Sequence, residues 1–103
     1  MKKRIILNFL AVRELDLFPT EVRARFFDLF KILEKEGKLE MPFAKKIGQN
    51  LFEIRIKHHG QWRAIYAYFM NNEIVILSAF VKKTNKTPKK EIDKSIKRLK
   101  KYK

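Results

Sequence analysis

The residues best suited to chemistry in this chain are cations. Arg55 and Lys57 alternate along one apolar–polar stretch, Arg63 lies in the next, and Lys82, Lys83 and Lys86 follow a third. Guanidinium and ammonium groups brought together stabilise the negative charge that builds on phosphoryl oxygens when a phosphodiester is attacked. In RNA the attacking group comes with the substrate, because the 2′-hydroxyl can attack the adjacent phosphate in line. Such cleavage needs no metal, but it does need a general base and acid. Histidine is the usual choice, and a lysine of lowered pKa or a tyrosine also serves. Trp62, Tyr66 and Tyr68 are close by in sequence as possible platforms for base stacking.

Other chemistries lack their residues. There is no cysteine, hence no disulfide, thiolate site or cysteine nucleophile. No phosphate-binding glycine loop, zinc spacing, His-Glu-x-x-His or convincing Ser/His/Asp set occurs. Carboxylates are scarce outside presumptive helix surfaces, which disfavours a two-metal nuclease. Neither a metal nor a cofactor is expected.

Each candidate also has a plainer reading. Arg55 and Lys57 equally suit the wet face of a half-buried strand. Arg63 sits among Trp62, Ala64, Ile65 and Tyr66, where an unpaired charge is costly, so an ion pair with Glu53 is the structural alternative. His58 and His59 fall in a turn, where exposed histidines ordinarily do nothing. Tyrosines pack in cores more often than they stack on bases.

The charge balance favours a polyanionic partner. Lys and Arg total 25 against 11 Asp and Glu, a net charge of +14. From Lys82 to Lys103 eleven basic residues face two acidic ones, so most of the excess is focused in the last fifth of the chain. Focused charge reads as a binding surface or a tail, with nucleic acid the first partner class. No apolar run approaches the roughly 18 residues of a membrane span, and no leader is recognisable at Met1-Lys-Lys-Arg. A cytoplasmic protein with no membrane partner is expected.

At 103 residues, 46% of them hydrophobic, the chain makes one domain, residues 1–103, with a real core. Residues 5–17 mix a helical pattern with a short strand at Lys3 to Leu7. Pro19 suits the first position of a helix carrying Val22, Phe26, Leu29, Phe30 and Leu33, closed by Gly37. Leu39 to Ile47 reads as an irregular strand or loop. From Leu51 the period becomes two, with Phe52, Ile54 and Ile56 on one face and Glu53, Arg55 and Lys57 on the other. His58-His-Gly-Gln61 makes a hairpin turn into Trp62 to Phe69. Asn71-Asn72 turns into Glu73 to Val81, apolar on both faces and therefore central. Thr87-Pro88 then caps a last helix with an Ile92, Ile96, Leu99 stripe. The expected fold is α+β: a helical hairpin, an antiparallel sheet of three to four strands and a C-terminal helix.

Three segments carry a family likeness: Leu51-Phe-Glu-Ile-Arg-Ile56, Trp62-Arg-Ala-Ile-Tyr66 and Phe80-Val-Lys-Lys-Thr-Asn-Lys-Thr-Pro88 with the following Lys-Lys-Glu-Ile92. In order and spacing they resemble the phage-derived branch of the RelE/HigB toxin family, from about Pro19 to Lys101. The last segment is the specific one. The resemblance implies a RelE-like fold and a type II toxin–antitoxin toxin, a ribosome-dependent endonuclease that cuts messenger RNA. It implies as partners the ribosome, its messenger RNA and a small antitoxin, expected to be a helix-turn-helix protein. By position, Arg63, Arg55, Lys82 and Lys83 are the implied catalytic residues. Lys57, His58, His59, Trp62, Tyr66, Lys86, Lys89 and Lys90 are the expected RNA-binding set. Two features depart from the family pattern. Pro88-Lys-Lys90 fills a region where some relatives carry a tyrosine, and the N-terminal strand is short or absent. The alternative is a noncatalytic nucleic-acid-binding or phage accessory protein on the same scaffold.

Overall fold

The two-residue alternation after Leu51 forms a strand with Ile54 and Ile56 packed into the core on one face and Glu53, Arg55 and Lys57 on the other. The structure is a computed structural model that describes residues 2–102. Its elements are β1 (Arg4–Leu7), α1 (Phe9–Asp16), α2 (Thr20–Glu36), β2 (Ala44–Gly48), β3 (Leu51–Lys57), β4 (Gln61–Phe69), β5 (Glu73–Val81) and α3 (Lys89–Lys100). One sheet of order β1-β5-β4-β3-β2 runs through the molecule. On one face α1 and α2 bury Leu15, Val22, Phe26, Phe30 and Leu33 against Ile54, Ala64, Tyr66 and Ile76. On the other, Ile92 and Leu99 of α3 cover Ile65, Ala67, Val75 and Leu77. The α+β fold is as expected, but the sheet has five strands instead of three to four.

The two added strands are the edges. β1 is present and short, and it lies parallel to β5 with Ile5 opposite Ile74 and Leu7 opposite Ile76. Backbone bonds from Lys3 N–H to Glu34 C=O and from Arg4 N–H to Asn72 C=O hold its start. β2 pairs antiparallel with β3. Consequently β4, not Glu73–Val81, is the middle strand. β5 is apolar on both faces because it lies inside the sheet between β1 and β4. Its pairing with β4 shifts register at Ile65/Tyr66, and Leu77 and Ser78 both turn toward the α3 layer.

Helix ends follow their caps with a one-residue offset. Pro19 and Pro88 are the N-cap residues, and the helices begin at Thr20 and Lys89. Gly37 closes α2 at φ 80°, a conformation that lacks a penalty only for glycine. The stripe on α3 is also displaced from expectation. Glu91 and Ser95 are buried, and the Ser95 hydroxyl lies 2.8 Å from that of Ser78, while Ile96 is exposed.

Where β1 ends at Leu7, the edge of β5 continues uncovered, and Glu14 of α1 takes over. Its carboxylate accepts from the Ala79 N–H at 3.1 Å, from Lys94 at 2.9 Å and from Arg98 at 2.8 and 3.0 Å. Arg98 also donates to the Leu77 carbonyl at 2.8 Å. A strand edge left with free backbone groups would recruit another chain; these side chains close it and tie α3 to α1.

Candidate nucleic-acid interface

Register decides which cations meet. In the β3–β4 pair Arg55 stands opposite Arg63, and in the β4–β5 pair Arg63 stands opposite Phe80. Residues opposite each other share a face, so both guanidinium groups lie on the α3 side of the sheet. β5 ends at Val81, and the Lys82 N–H donates to the Gln61 carbonyl at 2.8 Å, which fixes the strand exit beside the start of β4.

The result is an open cavity of about 320 Å³ lined by Arg55, Lys57, Gln61, Arg63, Lys82, Lys83, Thr84 and Asn85. A second cavity, about 380 Å³, is lined by Lys45, Lys46, Ile47, Glu53, Arg55, Lys82, Asn85, Lys86, Thr87 and Ile92. They share Arg55, Lys82 and Asn85, so they form one cationic groove across the end of the sheet.

Glu53 lies under this groove and is buried, at 1% exposure. Its Oε1 is 3.3 Å from Arg63 Nε and 3.9 Å from Arg55 Nε. The Arg63 contact is an ion pair without hydrogen-bond alignment. The other Arg63 nitrogens donate to the Trp62 carbonyl at 3.0 Å and to Gln61 Oε1 at 2.8 Å. Thr87 donates its hydroxyl to the second Glu53 oxygen instead of capping α3, which ties the 82–88 segment to β3. Burial lowers the proton affinity of Arg63, Glu53 raises it, and Arg55 lowers it again, for a net decrease. Burial also holds the Lys82 ammonium below the usual lysine value. The charges of Arg63, Arg55 and Lys45 act in the same sense, against an opposing Glu53.

Other expected residues lie elsewhere. Trp62 and Tyr66 alternate with Arg63 along β4 and so face α1 and α2. Tyr66 is 1% exposed and its ring stacks on Phe52 at 5.2 Å. The Trp62 ring meets Phe18 edge-on at 4.9 Å, and its indole N–H donates to the His58 carbonyl at 2.8 Å. The expected stacking of bases on these rings beside Arg63 is therefore corrected: the pleat sends them to the opposite face. Burial pushes the Tyr66 phenol well up, reinforced by Tyr68. His58 Nε2 lies 2.9 Å from Glu21 on α2, on that same side, and His59 is exposed in the turn at φ 52°. Lys86 lines the groove, while Lys89 and Lys90 stand exposed in the first turn of α3.

Sequence reasoning did not single out Lys45, Lys46, Gln61, Asn85 or Thr87. They reach the groove through strand pairing and the path of the 82–88 segment. Glu53 was visible only as an ion-pair partner, although its parity with Arg55 already put a lone carboxylate on the cationic face. Among the described residues, no group of three or more His, Cys, Asp or Glu could hold a metal ion. Among the described residues, no helix is long and apolar enough to cross a membrane.

Comparisons agree with this architecture. The toxin RelE of Escherichia coli, a substituted form in the free state, superposes with a TM-score of 0.73 at 14% identity, covering 96% of this chain and 99% of that one. The archaeal RelE–RelB complex from Pyrococcus horikoshii gives 0.62 at 27% identity, over 79% of this chain and 96% of that one. The toxin–antitoxin complex RelBE2 from Mycobacterium tuberculosis gives 0.61 at 20% identity, over 80% and 100%. No curated protein matches by sequence. The family described as phage-derived protein Gp49-like matches residues 13–100. The chain thus belongs to the phage-derived Gp49-like family, and its fold is that of the RelE-like toxins.

Proposed function

We propose that this protein is the toxin of a type II toxin–antitoxin pair and cleaves messenger RNA on the ribosome without a metal. The observation that carries the reading is the convergence of Arg55, Lys57, Arg63, Lys82 and Lys83 on one cavity. Fixed cations at that spot match the charge that develops on the equatorial oxygens of a phosphodiester under attack by the neighbouring 2′-hydroxyl. That attack displaces the 5′-oxygen and leaves a 2′,3′-cyclic phosphate and a 5′-hydroxyl.

Roles follow from exposure and charge. Arg55, Lys57 and Lys83 contact phosphate, and Arg63 supplies the floor of the site. Lys82 lines both cavities beside Arg55 and holds its proton less firmly than an ordinary lysine, so it is the group assigned to proton exchange. The groove continues past Lys45, Lys46 and Lys86, where further phosphates of a bound strand are accommodated. Two similar structures are toxin–antitoxin complexes, which supports an antitoxin as the neutralising partner. Cleavage on translating ribosomes places the protein in the cytoplasm.

Induced expression without a partner tests the reading. Growth should stop, and the double substitution Arg55→Ala, Lys82→Ala, at partly exposed positions, should restore it at equal protein level. Harmless expression, or arrest that survives the substitutions, contradicts it.

A further inference from the structure

A carboxylate is out of place beneath a groove that attracts phosphate. Glu53 is the one acidic residue among those lining the two cavities. It is buried, which costs free energy, and its charge opposes the binding of an anion. Simple attraction of RNA would be served better by a neutral residue.

Its contacts give it a different task. One oxygen faces Arg63 Nε and Arg55 Nε, at 3.3 and 3.9 Å, and the other accepts from Thr87. One side chain thereby joins β3, β4 and the segment that carries Lys82, Lys83 and Lys86. Two Arg63 nitrogens are held by the Trp62 carbonyl and Gln61, and the third, Nε, faces Glu53 in an ion pair. Arg55 and Arg63 are also like charges in direct register, and without a counterion between them they would splay apart.

On the ribonuclease reading above, we propose that Glu53 is the positioning residue of the cleavage site. It weakens attraction for RNA and in return orients Arg55, Arg63 and the Lys82 segment on the phosphate being cut. Preorganised donors accelerate a reaction only when their geometry is fixed before charge develops.

The test compares wild type, Glu53→Gln and Thr87→Val on ribosomes programmed with a defined messenger RNA, with thermal melting of each. Glu53→Gln should lower kcat by about 10- to 100-fold, the scale of a misplaced catalytic group, and should also lower KM. Its binding to a short single-stranded RNA should become more salt-dependent, with a slope steeper by roughly 0.7 per added phosphate contact. Thr87→Val, which keeps the Glu53–Arg63 pair but frees the segment, leaves one buried carboxylate oxygen unpaired. It should lower the melting temperature modestly and lower kcat with KM held at a temperature where the variant is fully folded. A merely structural role would instead reduce binding and rate together with the folded fraction, and that result overturns the proposal. An unchanged kcat in Glu53→Gln overturns it as well. If Glu53→Gln does not fold, Thr87→Val decides: reduced kcat in a folded protein supports the assignment, and full kcat ends it. Failure of the wild type to cut would remove the ribonuclease reading and this proposal together. A cutting wild type beside an unaltered variant removes only the proposal.

Discussion

Arg55 and Arg63 stand directly opposite each other in the β3–β4 pair, two cations that share the buried carboxylate of Glu53 as counterion. The three side chains differ sharply in exposure. Arg63 and Glu53 are almost fully buried, whereas the Arg55 side chain is 32% exposed.

That difference predicts unequal stability effects. Arg63→Ala leaves Glu53 buried with only Thr87 and a 3.9 Å neighbour, so it should cost about 3 kcal/mol, the low end for breaking a buried pair. Arg55→Ala should cost no more than about 1 kcal/mol, as for other partly exposed pairs. Urea unfolding of the two variants checks the order. Loss of activity in Arg63→Ala therefore has to be read at a temperature where the variant is folded.

The state of Lys82 gives a pH dependence. Burial, with the charges of Arg63, Arg55 and Lys45, lowers its pKa below the ordinary value of 10.5. A lysine that takes the 2′-hydroxyl proton acts in its neutral form, so cleavage should rise with pH through this lowered value. Lys82→Arg keeps the charge and cannot deprotonate in this range. It should lose the rising limb in single-turnover rates measured between pH 6 and 9; an unchanged profile would remove Lys82 from proton transfer.

Glu14 governs acid stability. Burial works against its ionisation, but bonds from Arg98, Lys94 and the Ala79 N–H outweigh it, and its pKa falls below 4.5. A depressed folded-state pKa means that the stabilisation is complete above the unfolded value and is lost as pH falls through the folded one. Glu14→Gln should therefore lower the melting temperature at neutral pH and flatten its decline below about pH 4.5. Glu14→Ala, which also leaves the Ala79 N–H unpaired, should cost about 2 kcal/mol.

Much of this architecture is legible in the residues. Val22, Phe26, Leu29, Phe30 and Leu33 with Gly37 specify α2, and the two-residue period from Leu51 specifies the meander. The edge strands are harder to read. β1 is four residues opened by Arg4 and preceded by Lys3, and its burial depends on β5, which lies about seventy positions away. β2 follows Pro42 and carries exposed Lys45 and Lys46, so it has little apolar signal of its own. The cluster of Arg55, Arg63 and Lys82 follows from composition, but its buried counterion needs the register. Parity along β4 does separate Arg63 from Trp62 and Tyr66, because alternate residues point to opposite faces.

That separation is itself testable. Tyr66→Phe should leave cleavage within about twofold of wild type, since its ring cannot reach the groove. It should still cost about 1 kcal/mol of stability, because the buried hydroxyl interacts with Tyr68 and the Leu39 backbone. A tenfold loss of kcat in the folded variant would return the ring to the active site.

On the proposed function, the cationic groove cuts messenger RNA during translation. Mapping 5′ ends across cellular transcripts after brief induction tests it most directly. New 5′-hydroxyl ends should appear in phase with codons, confined to translated regions and absent from the Arg55→Ala, Lys82→Ala double variant. New ends that ignore reading frame, or none above the uninduced level, would contradict it.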